Sequence, residues 1–293
     1  MPSQLLATKF FVPPKKQNLV SRPRLIEKLD AALSRKLTLL SAPAGFGKTT
    51  LVSDWVSQSS QPVVWLSLDK DDTDSKRFWL YFITALQKIS EEIGATSLGM
   101  LQPPNSSIGE NLLTILINEI SAFPKHFIMV LDDFHLVDSQ AVDKNLTFLL
   151  KHLPPQMHLV MTTREDPSLP LARLRASGRL NEIRAADLRF TLPEATDFLN
   201  SSLGITLSEK HIAALEERTE GWIAGLQLAA LSLQGNKAPE AFIDSFSGRH
   251  HFVLDYLVEE VPEQQPKDLQ QFLLSISILE RFCGDLCDAL LPD

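Results

Sequence analysis

The amino-acid sequence predicts an α/β fold in which a parallel sheet carries helices on both faces, followed by an all-helical region. Three observations lead to this prediction. Short apolar runs alternate with longer amphipathic segments through the first two-thirds of the chain. The runs are apolar throughout, which is typical of strands buried on both faces. The strand pattern stops near residue 190, and only helical periodicity follows.

The predicted strands are separated by helices. The strands cover Leu37–Ser41, Val63–Leu68, Phe127–Leu131, Leu159–Thr163 and Glu182–Leu188. The helices between them cover Lys48–Gln58, Ser75–Ile93, Gly109–Ala122 and Gln140–His152. An earlier helix is predicted from Pro23, because proline is compatible with the first turn of a helix. The proline-containing segment Thr96–Ser107 is predicted to be a loop.

Five more helices are predicted after the sheet, with glycine or proline between them. They cover Pro193–Leu203, Ser208–Thr219, Trp222–Gln234, Phe252–Val261 and Lys267–Leu279. The chain therefore divides into an N-terminal arm (residues 1–20), an α/β domain (residues 21–190) and a helical part from residue 191. Helical patterning continues almost to Asp293, which indicates a fragment of a longer protein.

Composition excludes several classes of protein. The 293 residues are 44% hydrophobic and 22% charged, which is ordinary for a globular chain that buries its own core. The net charge of −8 gives no attraction to nucleic acid, so no DNA binding by this chain is expected. No apolar run approaches the roughly 18–20 residues of a membrane span, so no membrane partner and a cytoplasmic location are expected. Cys283 and Cys287 do not have zinc-site spacing and are expected to be free thiols.

A glycine-rich segment, Ala42–Thr50, follows the first predicted strand and opens a helix, which is the setting of a Walker A phosphate loop. Gly45 and Gly47 let backbone N–H groups turn toward phosphate oxygens. Lys48 supplies a cation for the β- and γ-phosphates, and Thr49 supplies a hydroxyl for Mg²⁺. The segment opens with alanine where the pattern has glycine, which is acceptable if φ is negative. The predicted nucleotide contacts in this loop are Ala44, Gly45, Phe46, Gly47, Lys48, Thr49 and Thr50.

A later apolar strand ends in two carboxylates, Asp132 and Asp133, at the carboxyl edge of the sheet. Asp132 is predicted to hold Mg²⁺ through a bound water, with Thr49 as the second metal ligand. Asp133 is predicted to orient or deprotonate the attacking water. The alternative is that the pair begins a surface turn. Because aspartate is shorter than the glutamate that efficient ATPases often have here, slow hydrolysis is expected.

Two further side chains are candidates for catalysis together with Asp133. His135 lies two residues after Asp133 and faces either the site or solvent. Arg164 follows a predicted strand and is expected to reach the γ-phosphate as a bidentate donor. The alternative for Arg164 is a solvated surface arginine.

Together these segments resemble the STAND class of P-loop NTPases, the signal-transduction ATPases with numerous domains. Within that class they are similar to the nucleotide-binding part of MalT-like, large LuxR-type transcription regulators. The resemblance covers essentially the whole chain, through Thr8–Phe10, Val20–Leu25, Ala42–Thr50, Trp65–Asp69, Arg77-Phe78, Leu131–His135, Thr163-Arg164, Leu188–Phe190 and Gly221–Ala229. The Asp132–His135 and Gly221–Ala229 segments are specific, whereas the phosphate loop is generic.

The resemblance implies a P-loop NTPase sheet, then a helical bundle over residues 191–248 and the start of a winged-helix domain over residues 249–293. A sensor domain and a helix-turn-helix domain would follow in the full-length protein. The arm would hold the adenine, which makes Val20 and Arg22 candidate nucleotide contacts. Many relatives have proline near the nucleotide where this chain has Ile223. Trp222 beside it fits either a nucleotide contact or a core aromatic.

The function implied by the resemblance is an ATP/ADP-binding switch that uses Mg²⁺, hydrolyses ATP slowly and self-associates in the ATP state. One alternative is a housekeeping P-loop ATPase or kinase. A kinase needs a lid with several arginines, for which Arg173, Arg175 and Arg179 are candidates, but it leaves the helical tail unexplained. The other alternative is a degenerate scaffold, against which the intact phosphate loop and Asp132 argue.

Overall fold

The computed structural model describes residues 5–15, 19–101, 108–202, 207–233, 242–243, 246, 253, 256 and 267–276. Two compact units contain them, Met1–Phe190 and Thr191–Asp293. In these ranges no helix combines the length and apolar character that crossing a membrane requires. Cys283, Cys287, most of residues 249–293 and most of the predicted helix Phe252–Val261 lie outside the described residues.

The first unit contains a five-stranded parallel sheet, as the sequence predicts. Its strands are β1 (Leu37–Ser41), β2 (Val63–Ser67), β3 (Phe127–Asp132), β4 (Met157–Thr163) and β5 (Leu180–Arg184). Their order is β2-β3-β4-β1-β5, and every pairing is parallel. The three central strands are buried along their whole length, because helices cover both faces.

Eight α-helices accompany the sheet among the described residues of this unit. They are α1 (Pro23–Asp30), α2 (Lys48–Ser57), α3 (Ser75–Leu86), α4 (Ala95–Leu101), α5 (Glu110–Ala122), α6 (Gln140–His152), α7 (Leu171–Ala176) and α8 (Ala185–Leu188). Short 3₁₀ turns occupy Ala7–Phe10, Lys70–Thr73 and Phe134–Leu136.

Alternate residues of each strand belong to different cores. In β3, Phe127, Met129 and Leu131 pack with α3, α5 and α6. Ile128 and Val130 pack on the other face, with α1 and α2. Because successive strand side chains point to opposite faces, a run that is apolar throughout supplies both cores.

Three predicted elements differ in the structure. Helix α3 ends at Leu86, earlier than the predicted Ile93. The fifth strand ends at Arg184, earlier than predicted, because the Asp187 carboxylate accepts the Arg184 N–H (2.8 Å) and caps α8. The predicted loop from Thr96 begins instead as helix α4. That helix is tied to α5 because the Thr96 N–H and the Ser97 hydroxyl donate to the Glu119 carboxylate, each at 2.9 Å. Apolar periodicity does not report such side-chain contacts.

The described part of the second unit is helical. It contains α9 (Leu192–Thr196), which continues as a π-helical turn (Asp197–Ser202), and then α10 (Glu209–Thr219), α11 (Ile223–Leu233) and α12 (Lys267–Ile276). Glu220 and Gly221 end α10 with φ of 50° and 68°, a left-handed helix terminus that favours glycine. The Trp222 ring lies 5.5 Å from the Tyr256 ring, and a Cβ on Gly225 would approach Trp222 Cε3 to 2.6 Å. These contacts favour the interpretation of Trp222 as a packing aromatic of this unit.

Candidate functional site

The phosphate loop joins the end of β1 to α2. Gly45 and Gly47 have φ of 77° and 73°, in the left-handed region where glycine is preferred, and Gly47 caps α2. Among described residues other than glycine, only Asp133 and Glu220 have positive φ. Ala42 therefore has a negative φ, which is the condition under which alanine is acceptable in place of the first glycine. The remaining predicted contacts are half-buried on the loop and the first turn of α2: Ala44, Phe46, Thr49 and Thr50.

Lys48 begins α2 with a side chain that is 7% exposed. Its ammonium group donates to the main-chain oxygens of Ala42 (2.7 Å) and Pro43 (3.0 Å). The cation is thus held inside the loop whose N–H groups and helix terminus favour an anion.

Two threonine hydroxyl groups donate to one oxygen of the Asp132 carboxylate at the end of β3. Asp132 is 3% exposed, and its Oδ1 accepts hydrogen bonds from Thr49 Oγ1 (2.9 Å) and Thr162 Oγ1 (2.6 Å). The Thr162 hydroxyl in turn accepts the N–H of Asp133 (2.9 Å). The sequence pattern alone does not single out Thr162. The signal available for it was its place in the strand that precedes Arg164.

The electrostatics of Asp132 test whether Mg²⁺ fits. Burial, and then the negative charge of Asp133, raises the pKa of Asp132 to about 6. A hard divalent cation beside this carboxylate would offset that cost, and carboxylate and hydroxyl oxygens are the ligands that Mg²⁺ prefers. Asp132 and Thr49 therefore fit the metal.

Asp133 and His135 differ in exposure. Asp133 has left-handed backbone angles (φ 59°, ψ 42°) and a side chain that is 44% exposed. The His135 side chain is only 7% exposed, and in the described structure neither ring nitrogen has a hydrogen-bond partner. Burial, followed by the charges of Arg164 and Lys48, lowers the pKa of His135 to about 4. His135 is therefore neutral at pH 7 and lies on the side of the site rather than in solvent.

The loop that carries Arg164 is attached to the beginning of the phosphate loop. The Ala42 N–H donates to the Thr163 carbonyl at 3.3 Å. The Ser41 hydroxyl donates to Asp166 Oδ1 at 3.0 Å. Arg164 therefore follows a strand end that is fixed beside the phosphate loop, within electrostatic range of His135.

Val20, which ends the arm, and Arg22, which follows it, are both buried. The Arg22 guanidinium donates to the carbonyls of Leu188 (2.9 Å) and Arg189 (3.0 Å), and it lies 5.0 Å from the Phe190 ring centroid. These contacts assign Arg22 a role in holding the arm to the end of the first unit. A contact of Val20 or Arg22 with adenine stays a prediction.

Comparison with known proteins supports a P-loop NTPase fold. The family model described as AAA ATPase domain matches residues 18–162, and the MalT winged helix domain model matches residues 258–293. The structure of a STAND protein with a tetratricopeptide repeat sensor from Pyrococcus horikoshii has a TM-score of 0.58 at 17% identity, over 94% of this chain and 37% of that chain. A Walker-type ATPase of Pyrococcus abyssi has a TM-score of 0.56 at 16% identity, over 94% and 89%. These two likenesses concern the fold.

Two curated relatives are similar over nearly the whole chain. Serine/threonine-protein kinase PknK of Mycobacterium tuberculosis is 35% identical over 288 residues, which are 97% of this chain and 26% of the relative. The HTH-type transcriptional regulator MalT of Yersinia pestis is 35% identical over 277 residues, which are 94% of this chain and 31% of the relative. The chain thus spans 26–31% of the length of these relatives.

The fold, the phosphate loop and the acidic strand end are those of a P-loop NTPase. By sequence the chain is MalT-like over nearly its whole length. The fold of a P-loop NTPase implies nucleotide binding.

Proposed function

We propose that this chain is the ATP/ADP-binding switch module of a MalT-like transcription regulator. The observation that carries the proposal is that Thr49 donates to Asp132 (2.9 Å) at the carboxyl edge of the sheet, within electrostatic range of the Lys48 ammonium. The similarity to a transcriptional regulator over 94% of the chain supports the regulatory context. The proposed ligands are ATP or ADP with Mg²⁺.

Each residue has a defined task in nucleotide binding. The N–H groups of the phosphate loop and the Lys48 ammonium bind the phosphate oxygens. Thr49 and Asp132 hold Mg²⁺, which when bound neutralises part of the phosphate charge. Arg164 donates to the γ-phosphate, so its contact distinguishes ATP from ADP.

Asp133 and His135 act on the attacking water. Asp133 orients the water with an exposed carboxylate, and His135, neutral at pH 7, offers it one hydrogen bond without a charge. Hydrolysis is slow because the Asp133 side chain is short. A slow step suits a switch, since the ATP state must last long enough to be detected.

The proposed switch consists of four parts along the chain. They are the arm (residues 1–20), the α/β domain (21–190), the helical bundle (191–248) and the winged helix from residue 249. ADP favours a closed monomer. ATP favours an open arrangement that self-associates, because only ATP offers Arg164 a γ-phosphate. Sensor and helix-turn-helix domains belong to the full-length protein.

The purified chain tests the switch against a housekeeping ATPase. We expect stoichiometric ADP after acid denaturation, a monomer by light scattering, and ATP turnover well below one per second. Kinases typically turn over at about 1–100 per second. Nucleotide-free protein with turnover above about ten per second would contradict the switch and favour the housekeeping enzyme.

Lys48→Ala tests the site itself. Mg-ADP at 100 times its Kd adds about 2.7 kcal/mol to the stability of a binding protein, and we expect no such gain in the variant. Lys36→Ala is the matched control, because Lys36 precedes β1 and its ammonium binds the carbonyls of Leu150 and Lys151 (2.9 Å each). It should keep the ligand-induced rise in melting temperature. A rise of equal size in the Lys48 variant would remove Lys48 from the site.

A further inference from the structure

Asp166, two residues after Arg164, joins three segments of the first unit. Its Oδ1 accepts the Ser41 hydroxyl (3.0 Å), and both of its oxygens pair with the Arg184 guanidinium, at 3.1 Å for Oδ2. Ser41 ends β1 directly before the phosphate loop, and Arg184 ends β5. Between Arg164 and Asp166 the turn is kept compact, since the Thr163 hydroxyl donates to the Glu165 carbonyl (2.7 Å).

Arg184 is oriented by a second carboxylate. Its guanidinium also pairs with Glu182, which accepts two hydrogen bonds from Arg175 at 2.6 and 2.8 Å. The hydrogen bond from Arg184 lowers the pKa of Asp166, and those from Arg175 and then Arg184 lower the pKa of Glu182 to about 2. All four groups are thus charged at neutral pH, and a network of this kind restrains its members better than an isolated surface pair.

Arg184 also begins the segment that leads out of the first unit. It is the residue before α8, and the Asp187 carboxylate accepts its N–H and pairs with Lys28 of α1 (3.0 Å). The end of β5 is therefore attached to the Arg164 loop on one side and to α1 on the other.

We propose that Asp166 and Arg184 are positioning residues for the contact of Arg164 with the γ-phosphate. The inference rests on the proposed function. Asp166 fixes the Arg164 loop against the start of the phosphate loop, and Arg184 holds Asp166 there. Arg184 also neutralises Asp166. Without Arg184, the Asp166 carboxylate, two residues after Arg164, would compete with the γ-phosphate for the Arg164 guanidinium.

The test compares affinities for Mg-ADP and for Mg with a non-hydrolysable ATP analogue, measured by calorimetry. We expect Arg184→Gln to lower the triphosphate-to-diphosphate affinity ratio about tenfold, with ADP affinity within about twofold of wild type. Asp166→Asn should lower the ratio less, because it leaves no competing carboxylate. The double variant should resemble Asp166→Asn, since Arg184 acts through Asp166. Arg175→Gln is the matched control, because it removes a guanidinium from Glu182 without touching Asp166, and its ratio should fall less than that of Arg184→Gln.

Several results would overturn the inference. Equal weakening of both ligands in Arg184→Gln would make the pair merely structural. An unchanged ratio in that variant, or an equal fall in Arg175→Gln, would also overturn it. If Arg164→Ala leaves the ratio unchanged, Arg164 does not contact the γ-phosphate and the inference fails, whereas the proposed nucleotide binding is unaffected. Failure of the proposed function differs, since wild type would then bind neither nucleotide, and both ideas would fall.

Discussion

Asp132→Asn is expected to stabilise the nucleotide-free protein while it removes Mg²⁺-dependent nucleotide affinity. In the folded protein the pKa of Asp132 is raised from 3.8 to about 6, first by burial and then by Asp133. At pH 7 the folded state therefore carries a buried charge that the unfolded chain carries in water. The variant removes that charge and with it the ligand proposed for the metal.

The size of the expected stabilisation follows from the pKa difference of Asp132 and from the hydrogen bonds that its Oδ1 accepts. A difference of about two pKa units corresponds to about 3 kcal/mol. Thr49 and Thr162 both donate to Oδ1 of Asp132, and the amide oxygen of asparagine can accept both. Hydrogen bonds to a neutral amide are weaker than those to a carboxylate, so the net gain is expected to be roughly 1–2 kcal/mol.

The sign of the pH dependence follows from proton binding. Between about pH 4 and pH 6 the folded state binds more protons at Asp132 than the unfolded state does. The contribution of Asp132 to stability therefore falls as the pH rises through that window. Asparagine does not titrate, so the advantage of the variant should be largest above pH 7 and should vanish near pH 4.

Urea unfolding of EDTA-treated, nucleotide-free protein at pH 4.5 and pH 7.5 measures this difference. Asp133→Asn is the control, because it removes the same charge from a side chain that is 44% exposed, and its gain should be smaller. With Mg-ADP present the wild type should be more stable than Asp132→Asn, since of these two proteins only the wild type gains binding energy. Destabilisation of Asp132→Asn by more than about 1 kcal/mol at pH 7.5, or a gain that does not depend on pH, would refute the reasoning.

Three other predictions follow from packing and charge. Lys9 is 5% exposed and pairs with Asp72, which is fully buried, so Lys9→Met should cost about 2–3 kcal/mol in urea unfolding. Lys28→Met is the control and should cost less than about 1 kcal/mol, because Lys28 and its partner Asp187 are 37% and 35% exposed. Gly225→Ala should destabilise the second unit by about 1–3 kcal/mol and lower its melting temperature, because the added Cβ meets the Trp222 ring. An unchanged melting temperature would contradict this contact. With a net charge of −8, the chain should not retard duplex DNA in a gel at physiological salt, and salt-sensitive micromolar binding would reveal a basic face.

The strands of the sheet could be predicted because their sequences have few structural alternatives. A run such as Phe127–Asp132 must be covered on both faces, and its ends are marked by charged residues. The end of β5 could not be placed in this way, since the apolar pattern continues into α8 through Leu188. There the Asp187 side chain decides where the strand stops, and this is a local hydrogen bond that periodicity does not report.

Within the candidate site, the phosphate loop was the easiest part to predict, because one segment supplies all of its chemistry. The glycine pair, Lys48 and Thr49 lie within five residues, so their pattern is visible in the sequence. The bond from Thr162 to Asp132 joins residues 30 positions apart, and the pair of Asp166 with Arg184 spans 18 positions. Both depend on which strands are neighbours, and strand order is a property of the packed sheet.

Strand order also explains how one ligand can act on two segments. β1 lies between β4 and β5, and Ser41 is aligned with Thr163 on one side and with Arg184 on the other. The phosphate loop that follows Ser41 is therefore flanked by the Arg164 loop and by the segment that leads out of the first unit. A switch requires a ligand whose contacts differ between two arrangements of such flanking segments. Because only the γ-phosphate distinguishes ATP from ADP, and Arg164 is the group proposed to bind it, the restraint on the Arg164 loop sets how strongly the nucleotide can bias either arrangement.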